Sequence, residues 1–250
     1  RTHRKTIVWS FSKLQIIMKI ALLGYGKMGQ AIEKIALERG HEIVLKKSID
    51  DSFDGIEQAD VAIDFSVPSA AVENISKCLE SGIAVVSGTT GWLEDYEKMV
   101  DKCTANNGSF IYGSNFSLGV NLFFELNAQL SRLMQNFPQY KTEIKEIHHT
   151  QKLDAPSGTA ITLAKAIIEN SDYSSWALEK KQEDELPIEA ERTDNVPGTH
   201  TVYYKNPIDT IEITHTAHSR EGFAQGAVIA AEWLQGKKGV FTMKDVLNLK

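Results

Sequence analysis

A chain of 250 residues is long enough for one large or two modest domains, each able to bury a core. Its hydrophobic share of 42% and charged share of 24% are those of a soluble globular protein, and a formal net charge of -6 gives no reason to expect a nucleic-acid surface. No apolar run is long enough to span a bilayer. Cys78 and Cys103 sit in no metal-binding or CxxC spacing, so they read as structural thiols of a reducing, cytoplasmic compartment.

Residues 1–17 are basic and contain no acid, but their apolar part is short and broken, and no small-residue cleavage site follows. They are expected to be a non-native or disordered extension, with Met18 as the start of the folded protein. Lys19 to Leu23 is an apolar strand that runs into Gly24-Tyr25-Gly26-Lys27-Met28-Gly29. Gln30 to Arg39 has helical spacing and stops at Gly40, and Glu42 to Lys47 is a second strand. Strand, GxGxxG turn, helix and strand in that order predict a dinucleotide site. The first glycine would make the tight turn, the second would let backbone approach a pyrophosphate, and the third would let helix pack on strand. Lys46 and Lys47 stand where an NAD site usually carries an acid. They read either as readers of the NADPH 2′-phosphate or as solvent-facing residues past the sheet edge.

The alternation continues through strands at Val61 to Ser66, Ile83 to Ser87 and Ser109 to Tyr112, with helices near 68–81 and 93–106. The segments that end these strands, namely Ser66, Gly88-Thr89-Thr90 and Gly113-Ser114-Asn115-Phe116, would share the ligand edge of a parallel sheet. From Val120 the pattern changes to a helix of about fifteen residues, then a strand from Tyr140 to His149. In that strand Ile144, Glu146 and His148 share one face, and Glu143, Lys145, Ile147 and His149 the other. A helix is predicted over Ala160 to Ile168. Ser171 to Asn195 is polar and reads as a long excursion, followed by antiparallel strands at 199–204 and 210–217, an apolar helix at 226–234 and a short end helix. The predicted class is α/β, with a Rossmann-type domain over 18–119 and 221–250 and a smaller α+β domain with an open mixed sheet over 120–220.

The run from Glu146 to Ala160 concentrates the chemistry. His148 and His149 are followed by Lys152, and then by a Pro-Ser-Gly-Thr start to a helix. Imidazole exchanges protons near neutral pH, and a helix N-terminus offers free N–H groups to an anion. Adjacent strand histidines do not readily share a metal, and no cysteine or carboxylate completes a plausible set, so no metal is expected.

Glu146-Ile147-His148-His149 through Lys152 and Asp154 to Ala160 is similar to the signature of the 4-hydroxy-tetrahydrodipicolinate reductase (dihydrodipicolinate reductase) family. The resemblance extends through the glycine loop, Asp64-Phe65-Ser66, Ser87 to Gly91, Asn115 to Asn121, Pro197 to His200, Ile213 to His215 and Ser219-Arg220. It implies reduction of a small cyclic dicarboxylate with NADH or NADPH, in lysine (diaminopimelate) biosynthesis, by a homo-oligomer, a tetramer built through the second domain's sheet. It implies His148 and Lys152 as the catalytic pair, and His149, Gly158, Thr159 and Arg220 as substrate contacts. The glycine loop, Lys46, Lys47, Gly88 to Thr90 and Gly113 to Phe116 would contact the cofactor. The glycine loop departs from the family's GxxGRMG, and the family often has an acid near Lys46. A related amino-acid-pathway dehydrogenase and a non-catalytic NAD(P)-binding sensor are the alternative readings.

Overall fold

The computed structural model describes residues 17–152, 154–180, 182–219 and 221–249. The expected N-terminal extension, apart from Ile17, and Arg220 lie outside the described residues.

The first sheet has six parallel strands: β1 (Lys19–Leu23), β2 (Glu42–Lys47), β3 (Val61–Asp64), β4 (Ala84–Ser87), β5 (Ser109–Tyr112) and β11 (Gly239–Phe241). Their spatial order is β11-β5-β4-β3-β1-β2. The inner four, β5, β4, β3 and β1, are near-continuous apolar runs because both faces are covered. On one face α1 (Lys27–Glu38) and α6 (Glu221–Leu234) bury Ile20, Leu22, Ile63, Val86 and Ile111. On the other, α2 (Pro68–Glu80) and α3 (Tyr96–Ala105) bury Ala62, Val85 and Phe110 with both cysteines. The chain crosses from β1 to β2 on one side and later returns to place β3 on the other. The switch point between β1 and β3 therefore opens a crevice at the strands' C-terminal edge.

Helix α4 (Leu118–Met134) leads to the second sheet, ordered β10-β9-β6-β8-β7. Its strands are β6 (Lys141–His148), β7 (Ser175–Ala177), β8 (Glu185–Arg192), β9 (Gly198–Lys205) and β10 (Thr210–Ala217). Helices α4 and α5 (Gly158–Ile168) cover one face with Phe123, Leu163 and Ile167 on Ile144, Ile188 and Val202. A short α7 (Met243–Val246) ends the fold.

The segment read as an excursion is corrected here. It contains β7 and β8, and β8 lies in parallel register directly beside β6. Leu186 and Ile188 are fully buried between the outward Glu185, Pro187 and Glu189. The strand period is present, but proline and the flanking charge run obscure it. Gly239 to Phe241, between the predicted apolar helix and the end helix, is an edge strand paired with β5.

Candidate active site

The glycine loop turns between β1 and α1. Gly24 has φ +94°, and a Cβ there would overlap the Phe65 carbonyl; one on Gly29 would overlap the Gly24 carbonyl. Gly26, the residue preceding α1, has φ -84° and open space around it. Two glycines thus close the turn against its neighbours, and the third leaves a gap at a helix N-terminus, the place for a phosphate. Gly24, Tyr25, Gly26, Lys47, Phe65 and Ser66 line a cleft of about 300 Å³ at the β1/β3 switch point. These features fit the dinucleotide implied by the sequence. Gly24→Ala is expected to lower stability by about 1–3 kcal/mol, from positive φ and overlap. Gly26→Ala should leave the melting temperature unchanged and weaken dinucleotide binding roughly tenfold, by overpacking the gap. Melting curves and cofactor titrations on both variants check this.

The two lysines after the glycine loop differ. The Lys46 ammonium lies 2.5 Å from Glu33 and 4.9 Å from the Tyr25 ring centroid. Tyr25 also hydrogen-bonds Glu33, so Lys46 is already paired. Lys47 is 4% exposed; it donates to the carbonyls of Ser48 (3.1 Å) and Ile49 (3.4 Å) and stacks on Phe53. The solvent-facing alternative is therefore corrected for Lys47.

Gly88, Thr89, Thr90, Gly113, Ser114 and Asn115 follow β4 and β5 at the same sheet edge. Phe116 differs from them: its ring is 1% exposed and packs 5.7 Å from Phe65, so its side chain is core. Asn115 lies 3.5 Å from the Thr159 hydroxyl and so links this edge to the start of α5.

In the second domain, β6 turns Glu146 and His148 inward. Its register with β9 sets Glu146 opposite His200, and its register with β8 sets His148 opposite Arg192. Glu146 is fully buried. It accepts from the Ser157 N–H (3.0 Å) and from Arg192 (3.1 Å), with the His200 Nε2 at 3.6 Å and the His148 Nδ1 at 3.7 Å. Burial alone would raise this carboxyl; hydrogen bonds from His200 and Ser157 and the neighbouring His148 outweigh it and hold it at about 2. Burial lowers His148 to about 4, with His200 adding to the effect and Glu146 opposing it. The imidazole is therefore neutral at pH 7 in the free protein.

Helix α5 starts at this cluster. Ser157 caps it by accepting from the Ala160 N–H (3.2 Å), and its hydroxyl lies 3.0 Å from His200. The Ser157 and Ala160 N–H groups are thus occupied, whereas those of Gly158 and Thr159 have no hydrogen bond among the described residues. These two donors face outward at a positive helix end. Arg192 also donates to the carbonyls of Lys152 (3.3 Å) and Asp154 (2.6 Å), clamping the loop that carries Lys152. The Lys152 ammonium lies 2.8 Å from Asp154. His149 points elsewhere and lines a separate cavity of about 270 Å³ with Asp194 and Pro197. A further cavity of about 360 Å³, by Met134, Ile167 and Tyr204, shares none of these residues.

Arg192 carries no signal of its role in the sequence; Glu146 and Ser157 stand in the chemistry-bearing run with no role assigned to them, and His200 reads equally as a pocket residue or a structural one. Against the expectation that no carboxylate completes a metal set, Glu146, His148 and His200 bring three donor atoms within 4.8 Å of one another. Arg192 already supplies the cation beside Glu146, and a dication would face its guanidinium at short range.

Family models described as dihydrodipicolinate reductase, N-terminus and C-terminus, match residues 18–116 and 119–247. The chain is 59% identical over 236 residues to a protein of Christiangramia forsetii named 4-hydroxy-tetrahydrodipicolinate reductase, covering 92% of this chain and 98% of that one. A protein of the same name from Methanoregula boonei is 34% identical over 258 residues, covering 93% and 98%. Among solved structures, a dipicolinate-bound dihydrodipicolinate reductase from Paenisporosarcina sp. TG-14 shares the fold, with a TM-score of 0.72 at 22% identity, over 94% of this chain and all of that one.

Proposed function

The chain belongs to the dihydrodipicolinate reductase family, and on that premise we propose that it reduces 4-hydroxy-tetrahydrodipicolinate with NADPH or NADH, in lysine (diaminopimelate) biosynthesis. Substrate, reduced nicotinamide and one proton give tetrahydrodipicolinate, oxidised nicotinamide and water. The observation that carries this reading is the pair of unpartnered Gly158 and Thr159 N–H groups beside the buried Glu146–His148–His200–Arg192 cluster. That is a carboxylate grip next to a proton carrier.

The glycine loop and the edge formed by Gly88 to Thr90 and Gly113 to Asn115 hold the dinucleotide, which supplies the hydride. Gly158 and Thr159 hold one substrate carboxylate, and Lys152 neutralises charge as the ring is reduced. Neutral His148 acquires its proton when the dianionic substrate arrives, because opposite charge favours the imidazolium. It then protonates the reduced ring. His149, whose cavity lies apart, serves at the rim. Residues 18–119 with 221–250 form the cofactor half, and residues 120–220 the substrate half. The open face of the second sheet is the surface for a homotetramer. Among the described residues no helix is long and apolar enough to cross a membrane; a cytoplasmic setting suits the two free buried cysteines.

The test is a coupled assay. Purified protein, given freshly condensed pyruvate and aspartate semialdehyde, should consume the nicotinamide absorbance; no loss with either cofactor defeats the reading. Cofactor choice has its own test. Glu33 ties up Lys46, so Glu33→Gln should free the ammonium and raise the NADPH/NADH ratio of kcat/KM several-fold. An unaltered ratio would remove Lys46 from the 2′-phosphate site.

A further inference from the structure

We propose that Asp64 is a positioning residue for hydride transfer, holding the strand-end loops of the cofactor edge in one arrangement through a single buried carboxylate. The proposal rests on the reading of that edge as the dinucleotide site.

Asp64 ends β3 and is fully buried. One carboxylate oxygen accepts from the Ser66 hydroxyl (2.6 Å) and the Asn74 amide (2.9 Å). The other accepts from the hydroxyls of Ser87 (2.8 Å) and Thr89 (2.8 Å). No cation pairs with Asp64 among the described residues. Four neutral donors from the β3 loop, α2, β4 and the β4 loop therefore converge on one group, and only a carboxylate offers an acceptor site to each. Thr89 is oriented further by accepting the Ser66 N–H (2.8 Å). The Asn74 amide also donates to Ser66 (3.1 Å), leaving its own buried Oδ1 without a partner among the described residues. Such an arrangement is a poor way to gain stability. Burial holds the Asp64 carboxyl above the usual carboxylate range despite its hydrogen bonds, and an unpaired buried acceptor is costly.

What the network does achieve is registration. The next residue, Phe65, has its carbonyl against Gly24, its ring against Gly88 and its ring 5.7 Å from that of Phe116. Fixing Asp64 and Ser66 therefore fixes Phe65, against which the glycine loop and the loops after β4 and β5 all pack. Reacting atoms need placement within a fraction of an ångström, and small misplacements cost large factors in rate.

The experiment compares wild type with Asp64→Asn, an isostere that turns an NH₂ toward two of the four donors. Steady-state rates are measured with nicotinamide protonated or deuterated at the transferred position, alongside melting temperature and cofactor titration. Asp64→Asn should lower kcat by about tenfold or more, raise the isotope effect on kcat and leave the dicarboxylate KM within about threefold of wild type. A folded variant with unchanged kcat and isotope effect overturns the proposal, whatever its melting temperature. If Asp64→Asn does not fold, Ser87→Ala, which removes one donor, should shift kcat and isotope effect in the same directions by less; no shift overturns it. If the wild type itself consumes no nicotinamide with the dicarboxylate, the reductase reading fails. The proposal is then judged by the cofactor titration alone, with equal affinities for variant and wild type counting against it.

Discussion

Replacing His148 with glutamine should lower kcat by about two orders of magnitude or more, while cofactor affinity stays near that of wild type. Glutamine keeps a polar side chain of similar reach but does not titrate near neutral pH, so it can neither take up nor deliver the proton. The cofactor edge lies on the other sheet, so its binding should not register the change. Burial and His200 keep the free His148 imidazole at about 4, and a dianionic ligand would raise it. The pH at which activity falls as His148 loses its proton should therefore be low in kcat/KM, which reports the free protein, and higher in kcat, which reports the complex. Coincident limbs would mean that the substrate does not charge the imidazole. Unchanged turnover in His148→Gln would remove the residue from the mechanism.

The second large effect is expected at Arg192. Replacing it with methionine leaves Glu146 fully buried without its guanidinium, and breaking a buried pair from one side costs about 3–5 kcal/mol. For a protein of this size that is a melting temperature about 10 °C lower. Activity should fall with it, because Arg192 also holds the carbonyls of Lys152 and Asp154. Adding Glu146→Gln to Arg192→Met removes the stranded charge and should restore part of the stability but not the activity. Thermal melts and rates on the two singles and the double make a complete cycle. If Arg192→Met melts like wild type, the pair is not a structural clamp.

The same cluster makes the protein sensitive to acid. Glu146 sits at about 2 when folded, against an ordinary 4.5, so its contribution is complete above 4.5 and is lost as pH falls from there toward 2. His148 sits at about 4 against an ordinary 6.5, so the unfolded chain takes up its proton first and stability also declines from pH 6.5 to 4. Both act in one direction, and denaturant midpoints should fall steadily below pH 6.5.

The β1–glycine turn–α1–β2 unit was legible because its signals are local. A turn needing positive φ at Gly24 and space at Gly26 is written in consecutive residues. The Glu146 to Ala160 run was legible for the same reason: strand alternation set His148 inward, and a capped helix start displayed two N–H groups within a few residues. The partners of that run were another matter. His200 and Arg192 are 52 and 44 residues from His148 in sequence, and they reach Glu146 only through the β6–β9 and β6–β8 registers. A slip of one residue in either register would turn them to the opposite face. Nothing near Arg192 announces that role, and its strand was hidden by Pro187 and the acidic residues around it. Asp64 is a similar case: four donors from four segments meet there only once β3 and β4 lie side by side. The amino-acid sequence by itself therefore determined which chemistry the chain carries and on which local elements. Only the tertiary structure decided which charges neutralise one another, because pairing across a sheet depends on register and burial rather than on sequence neighbourhood.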